Sequence, residues 1–275
     1  MALDPAQHMF AALPELRSHP TAKRIRALLG GVVVVDSTRA LIVWEPRRVV
    51  PSYAVPIDDI DGSLVESTAS RAAETVVRLG DGPPVLDPRT GFSFHTAPGQ
   101  AFDLQVGSSI VTAAAFVPED ADLAGHAVLD FEAFEEWREE DELLVGHARD
   151  PFKTVDVRQS SRPVVVEIDG TVVAESAHPT MLFETYLPTR YYLAPADVRM
   201  DLLHRSSTES LCAYKGRATY WSANVNGDVV EDVAWTYEAP HNYATAVRGM
   251  VAFFNERVDI TLDGELLDRP HTPWS

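Results

Sequence analysis

The fold is decided by the stretch Gly31-Val-Val-Val-Val-Asp-Ser-Thr-Arg-Ala-Leu-Ile-Val-Trp-Glu45, which recurs as Gly170-Thr-Val-Val-Ala-Glu-Ser-Ala-His-Pro-Thr-Met-Leu-Phe-Glu184. The two copies lie 139 residues apart, and the same offset continues from residues 53–58 to residues 192–197. A register without gaps over almost thirty residues is not expected by chance. The sequence therefore predicts two homologous domains in a chain of 275 residues.

Downstream of this stretch the two copies match only when gaps are allowed. The matches are Ala115-Phe116 with Ala234-Trp235, residues 131–134 with 251–254, and residues 155–157 with 258–260. A polar joint, Gln159-Ser-Ser-Arg162, separates the copies. We therefore predict an N-terminal domain over residues 1–160, which is a degenerate copy, and an intact C-terminal domain over residues 161–275.

Turn signals and hydrophobic periodicity predict a mainly β fold. Asp169-Gly170, Asn226-Gly227 and Asp263-Gly264 each lie between alternating or β-branched runs, the pattern of a two-residue hairpin turn. Gly30-Gly31 has the same place in the first copy. Apolar residues at helical spacing predict one helix in each copy, over residues 121–142 and 242–254. We expect an α+β chain, mainly β, of two small β-sandwich or partial-barrel domains with one helix each.

The composition is strongly acidic, with 41 Asp and Glu against 23 Lys and Arg and a formal charge of −18. Binding to nucleic acid or to anionic membranes depends on clustered Lys and Arg, so the charge argues against both partners. The single cysteine, Cys212, rules out an intramolecular disulfide and is typical of a reducing compartment. The first ten residues show neither a basic nor an apolar signal-peptide region, so we expect a cytoplasmic protein. The oligomeric state is not indicated.

A dense motif occurs in the second copy only. It consists of Arg199-Met-Asp-Leu-Leu203, Cys212-Ala-Tyr-Lys-Gly216, Tyr220-Trp221, Glu231-Asp232 and Ala234-Trp-Thr-Tyr237. In this order the residues resemble the family known as domain of unknown function 427, over residues 162–267, although the family usually has Pro where this chain has Ala213. The resemblance implies no established activity. A nucleotidyltransferase-like label is attached to the family, but the chain contains neither a Gly-rich phosphate loop nor a Gly-Ser motif with paired metal-binding carboxylates.

Hairpin geometry predicts which residues of this motif meet. If Asn226-Gly227 is a two-residue loop, Trp221 faces Asp232 and Ser222 faces Glu231 across the two strands. Because neighbours along a strand alternate between faces, Trp221 and Asp232 are expected on the face opposite to the core. That arrangement places an aromatic ring beside a carboxylate, which is typical of a binding site.

Seven residues of the second copy are candidate site residues. The ligand-binding candidates are Arg199, Asp201, Tyr214, Lys215, Trp221 and Asp232, and the catalytic candidates are Lys215 and Cys212. Lys215 is one of three lysines, which favours a ligand contact over a solvated strand end. Cys212 needs a neighbouring cation or base to act as a nucleophile, and without one it is a small buried hydrophobe. Arg199 binds a carboxylate or phosphate through its planar fork, or else pairs with Asp201.

Histidine and cysteine spacing does not predict a metal site, because the nine histidines are scattered and the chain has one cysteine. We therefore expect no metal and no cofactor. The function predicted from these residues is binding of a small, anionic molecule in a pocket of the C-terminal domain, and an enzymatic role is compatible with it. The alternative is a non-catalytic structural or protein-interaction module in which the motif serves the fold.

Overall fold

The computed structural model describes residues 2, 5–79 and 82–273, and the chain divides into two compact units. The first unit extends to Asp150 without residues 78–81, and the second contains residues 78–81 and those from Pro151 onward. The sequence places the division later, after residue 160. The earlier division follows from the strand Val155–Gln159, which pairs along Thr180–Glu184 of the second unit.

The first unit consists mostly of β-strands, and its described residues include one α-helix, α1 (Pro5–Ala12). Its strands are β1 (Arg17–Pro20), β2 (Ile25–Leu29), β3 (Val32–Ser37), β4 (Leu41–Trp44), β5 (Ser52–Pro56), β6 (Ser63–Glu66), β7 (Val76–Val77), β8 (Val85–Leu86), β9 (Gly99–Val106), β10 (Ser109–Pro118), β11 (His126–Leu129), β12 (Glu136–Glu139) and β13 (Glu142–Leu144). Short 3-10 helices cover Ile57–Asp59, Ala121–Leu123 and Phe131–Ala133.

Two antiparallel sheets and a small β7–β8 hairpin contain these strands. The larger sheet has seven strands in the order β1-β4-β5-β11-β10-β9-β6, and the smaller has four in the order β13-β12-β2-β3. Ile25 and Trp137 from the smaller sheet share one core cluster with Tyr53 and Leu104 from the larger sheet. The two sheets therefore pack face to face as a sandwich.

The second unit repeats this architecture. Its strands are β14 (Val155–Gln159), β15 (Val164–Ile168), β16 (Thr171–Ser176), β17 (Thr180–Glu184), β18 (Arg190–Leu193), β19 (Leu203–Cys212), β20 (Gly216–Val225), β21 (Asp228–Thr236), β22 (Val251–Phe253), β23 (Asp259–Leu262) and β24 (Glu265–Leu266). Its 3-10 helices are Pro195–Asp197, Met200–Leu202 and Asn242–Val247. The seven-stranded order β14-β17-β18-β22-β21-β20-β19 and the four-stranded order β16-β15-β23-β24 match the first unit strand for strand. Two mainly β units, as the sequence predicts, are confirmed.

The strand register corrects the expected gap-free alignment of the copies. Up to the ends of β4 and β17 the offset is 139 residues, since Arg17 pairs with Trp44 as Asp156 pairs with Phe183. From β5 onward the offset is 138 residues. The isolated bridges show the change, because Val35 pairs with Ile60 and Ala174 with Val198. Tyr192 therefore matches Ala54 and not Tyr53.

The later matches are settled by the same pairing. Ala115-Phe116 does match Ala234-Trp235, because both pairs occupy the same positions beside the neighbouring strand. The match of residues 131–134 with 251–254 is wrong, since β11 is the counterpart of β22. The match of residues 155–157 with 258–260 is also wrong, since β12 is the counterpart of β23.

Both helix predictions are wrong, whereas the turn predictions are confirmed. Residues 121–142 form two 3-10 helices and the strands β11 and β12, and residues 242–254 form a 3-10 helix followed by β22. Apolar residues at helical spacing here fill strand positions in the sheet, so tertiary pairing overrides the periodicity. The turns at Gly30-Gly31, Asp169-Gly170, Asn226-Gly227 and Asp263-Gly264 all have positive φ. None of the helices in the described part of the chain has the length and apolar character needed to cross a membrane.

The outer face of the seven-stranded sheet carries a second core cluster in each unit. In the second unit this cluster contains Leu182, Tyr192 and Trp235, with residues of the 3-10 helix Asn242–Val247. In the first unit Val43, Ala54 and Phe116 form the cluster, and Phe92 and Ala97 from the β6–β9 connection pack against it. Different segments therefore cover equivalent sheet faces, which sets the two candidate sites apart.

Candidate functional site

The turn between β19 and β20 places Lys215. Cys212 and Gly216 pair across the two strands, and Gly216 has a φ of +94°, which residues with a side chain rarely adopt. A Cβ on Gly216 would lie 3.3 Å from Cδ2 of His241. The backbone N–H of His241 also donates to the carbonyl of Lys215 at 3.1 Å. The turn is therefore fixed against the segment that follows β21.

The ammonium group of Lys215 contacts a buried carboxylate. Lys215 is 9% exposed, and its Nζ donates to Oε2 of Glu184, the last residue of β17. A second lysine, Lys153, places its Nζ 2.9 Å from Oε1 of the same carboxylate. Lys153, Glu184 and Lys215 are named the lysine–glutamate cluster below. Two of the three lysines of the chain thus meet on one carboxylate.

Electrostatics fix the protonation states in this cluster. Burial alone raises the pKa of Glu184, but the charges and hydrogen bonds of the two lysines outweigh it and lower the pKa to about 2. Burial alone lowers the pKa of Lys215, but the charge of Glu184 outweighs it and raises that pKa. At neutral pH the cluster therefore holds two ammonium groups and one carboxylate. Lys215 acts here as a permanent cation and not as an amine nucleophile.

Phenol and indole groups border the cluster. Burial raises the pKa of Tyr192 to about 12 and raises the pKa of Tyr237 well above its usual range, so both phenols stay protonated. Nε1 of Trp235 donates to the hydroxyl of Tyr192 at 3.1 Å. Nζ of Lys153 lies 5.3 Å from the ring centroid of Tyr214, within cation–π range. The site combines fixed positive charge with neutral aromatic groups.

An ion pair adds a second charged group to this face of the sheet. The guanidinium of Arg190 donates to both carboxylate oxygens of Glu256, each at 2.7 Å, and lies 5.4 Å from the ring centroid of Trp235. The hydroxyl of Thr272 donates to the same carboxylate. The pair is bidentate and balanced in charge.

Cys212, the second catalytic candidate, lies at the same turn and is half-buried. Along an extended strand Cys212 and Lys215 would point to opposite faces, but the turn brings them together. The proximity shows in the pKa of Lys215, because Cys212 adds to the effect of Glu184 in raising it. The thiol thus has a neighbouring cation, and its chemical role stays a prediction.

Arg199 and Asp201 lie away from the cluster. They flank Met200 at the start of a 3-10 helix and not on a strand, and they pair with each other at 2.7 and 2.9 Å on the surface. They precede β19, whereas Lys215 follows its tenth and last residue. A strand of that length spans about 33 Å. Arg199 and Asp201 therefore form the ion pair that the sequence offered as an alternative to ligand binding.

A β-bulge corrects the predicted partners of Trp221 and Asp232. The pairing runs as expected from Val225–Asp228 to Ala223–Val230 and then shifts, so that Trp221 faces Ala234. Asp232 lies in the bulge with a φ of 49°, and its Oδ2 accepts from Thr208 at 2.7 Å. The first unit has the same bulge, where Ala113 has a φ of 50°. The bulge thus belongs to the fold, and the aspartate is particular to the second unit.

The six predicted ligand residues therefore do not share one pocket. Tyr214 and Lys215 border the lysine–glutamate cluster, and the other four lie along β19 to β21 or before them. Sequence reasoning also missed Lys153 and Glu184. Their signals were present, since Lys153 is one of three lysines and Glu184 ends the repeated stretch. Missing was the pairing of β14 with β17, which brings the region of Lys153 beside Glu184.

The first unit has a counterpart of Glu184 with different partners. Glu45, which ends the repeated stretch there, is 3% exposed. Nδ1 of His95 lies 3.0 Å from its Oε1, and the backbone N–H groups of Thr96 and Ala97 donate to its Oε2 at 2.7 and 3.2 Å. All three partners come from the β6–β9 connection, which replaces the short β19–β20 turn. The guanidinium of Arg48 lies 3.8 Å from the same carboxylate.

Comparison with known families supports the resemblance seen in the sequence motif. A family described as "Domain of unknown function (DUF427)" matches residues 17–74 and 156–264. One matched segment lies mostly or wholly in each unit, and together they cover more than half of the chain. Comparison with curated proteins gives no match. The chain, with its repeated sandwich and its Cys-Ala-Tyr-Lys-Gly turn, therefore belongs to the family of domains of unknown function called DUF427.

Proposed function

We propose that the second unit binds a small anionic molecule at the lysine–glutamate cluster. The observation that carries the proposal is the meeting of Lys153 and Lys215 on the single carboxylate of Glu184. Two ammonium groups and one carboxylate leave one positive charge without a partner in the cluster. An anionic ligand supplies the missing negative charge.

Hydrogen-bonding capacity supports the same ligand class. Each ammonium group has three N–H donors. In the described part of the chain, Glu184 is the hydrogen-bond acceptor recorded for both groups. Several donors are thus available to an acceptor oxygen from outside. Lys153 offers the accessible side, because its side chain is 22% exposed against 11% for Lys215.

The two units together favour a ligand role over a purely structural one. By strand register, Tyr192 is replaced by Ala54 in the first unit, Trp235 by Phe116 and Tyr220 by Ala101. The first unit nevertheless keeps the same sheet order. The fold therefore does not require these polar aromatic groups, and neither does it require lysines on the carboxylate.

A structural role for the motif is the second candidate, and the burial of Lys215 favours it. Its contact with Glu184 joins the β19–β20 turn to the end of β17, and Trp221 and Trp235 pack in core clusters. In that case the exposed ion pair Arg199–Asp201 has no ligand to bind. Loss of stability without any loss of ligand binding in lysine variants would identify this role.

A thermal-shift screen of anionic metabolites tests the proposal. We expect at least one anion to raise the Tm of the wild type by several degrees, because a bound ligand stabilises the folded state. Lys153→Met and Lys215→Met should abolish that rise. Lys23→Met is the matched control, since the third lysine pairs with Glu139 in the first unit and should leave the rise unchanged. No anion giving a rise, or equal rises in all variants, would contradict the proposal.

The remaining sequence-based expectations form part of the same proposal. We place the protein in the cytoplasm, since its one cysteine fits a reducing compartment. Its charge of −18 disfavours nucleic acid and anionic membranes as partners. A small molecule, held where positive charge is concentrated locally, is the partner that these features favour.

A further inference from the structure

We propose that the ligand of the lysine–glutamate cluster is a singly charged oxyanion, a carboxylate or a phosphodiester, and not a doubly charged phosphate monoester. This inference rests on the proposed function and names the substrate class of that site. It follows from the charge that the cluster and its neighbours present to a bound molecule.

The charge around the site sums to one positive unit. Lys153 and Lys215 contribute two ammonium groups, and Glu184 contributes one carboxylate. The phenols of Tyr192 and Tyr237 are neutral, since burial raises their pKa values. Arg190 and Glu256 pair with each other and add no net charge. A singly charged ligand therefore brings the site to neutrality.

A doubly charged ligand would leave one negative charge without a partner. Lys215 and Glu184 are 9% and 6% exposed, so water does little to stabilise an excess charge beside them. An uncompensated charge in such surroundings is strongly unfavourable. The cluster thus discriminates between anions by their charge.

The hydrogen-bonding groups also suit one oxyanion. The ammonium groups sit on the two oxygens of one carboxylate, Nζ of Lys153 on Oε1 and Nζ of Lys215 on Oε2 of Glu184. A second carboxylate or a phosphodiester can use the remaining donors in the same way. Lysine binds as a point charge without the fork geometry of arginine, so it accepts either kind of oxyanion.

Three probes with one phenyl ring separate these ligand classes by calorimetric titration at pH 7.5. Benzoate and methyl phenyl phosphate carry one negative charge, and phenyl phosphate carries two. We expect the singly charged probes to bind the wild type at least tenfold more tightly than phenyl phosphate. Benzamide, the neutral analogue, should not bind. Tighter binding of phenyl phosphate would overturn the inference and leave the proposed function intact, whereas binding of benzamide as tight as that of benzoate would overturn both.

Lowering the pH changes the charge of one probe. The second pKa of a phosphate monoester is about 6, so phenyl phosphate becomes singly charged at pH 5 and its affinity should rise by roughly 30-fold. Among the charged and titratable groups facing the turn, Glu184, Lys153 and Lys215 keep their charges, whereas the ring of His241 packs against Gly216 and gains charge where imidazole titrates. Benzoate titrated at both pH values measures any such change in the protein. The ratio of the two affinities then reports the charge of the probe, and a ratio independent of pH would contradict the inference.

Substitutions that change the charge of the cluster provide a second test. Glu184→Gln raises the charge of the site by one, so phenyl phosphate should become the tighter ligand at pH 7.5. Lys153→Met removes the unpaired positive charge, so benzoate should lose at least tenfold in affinity. Lys23→Met should bind all probes like the wild type. Should Glu184→Gln fail to fold, the pH titration of the wild type decides the question; no binding of any of the three anionic probes would overturn the inference.

Discussion

Glu45 and Glu184 occupy the same strand position in the two units, yet their carboxylates meet different partners. Glu184 contacts the ammonium groups of Lys153 and Lys215. Glu45 contacts His95 and two backbone N–H groups of the β6–β9 connection. The buried carboxylate is thus common to both units, and the surplus of positive charge is particular to the second.

Glu184→Gln should destabilise the second unit strongly. The substitution leaves two ammonium groups beside a neutral amide, and removing one partner of a buried ion pair costs about 3–5 kcal/mol. Urea denaturation followed by tryptophan fluorescence measures this loss. Asp201→Asn is the matched control, because it breaks an ion pair that lies on the surface and should not change stability measurably. Equal effects of the two substitutions would show that Glu184 is not held as described.

The stability of the second unit should fall in acid because of Glu184. Its pKa is lowered from 4.5 to about 2 in the folded state, so its contribution is present above pH 4.5 and is lost as the pH falls towards 2. The shift corresponds to a contribution on the order of 3 kcal/mol. Urea denaturation between pH 6 and pH 2 should show a decline in the wild type that exceeds the decline in Glu184→Gln. Parallel curves for the two proteins would contradict this prediction.

His95→Ala should loosen the β6–β9 connection in the first unit. His95 bonds to Glu45 and stacks on Phe116 with ring centroids 3.8 Å apart, so its removal deletes two contacts that hold residues 82–98. Limited proteolysis should then cleave this segment several times faster than in the wild type. His126→Ala, whose ring contacts the carbonyl of Ala124 elsewhere in the unit, is the control and should cleave like the wild type. Unchanged cleavage in His95→Ala would mean that other contacts hold the segment.

The sequence predicts the architecture where its signals are local or repeated. The copies around Gly31 and Gly170 identify the two homologous units, and the Asn-Gly and Asp-Gly pairs identify their hairpins. The helix predictions failed because residues such as Val251 and Phe253 have apolar spacing that fits either a helix or a central strand. Pairing with a neighbouring strand decides between the two, and that pairing is not visible in local periodicity.

The candidate site was only half visible for the same reason. The motif pointed to Tyr214 and Lys215, which lie in one short turn. Lys153 and Glu184 come from segments far from that turn in sequence, and antiparallel pairing of β14 with β17 brings them together. The bulge around Asp232 shows the limit of hairpin arithmetic, because an extra residue shifts every later pair.

One measurement tests the anion site most directly, and the scarcity of lysine makes it possible. Lysine labelled with ¹³C at Cε gives one signal for each of Lys23, Lys153 and Lys215, and substitution to Met assigns them. During titration with benzoate we expect saturable shifts of the Lys153 and Lys215 signals, while the Lys23 signal stays in place. Unmoved signals from Lys153 and Lys215, or an equal shift of all three, would contradict the account.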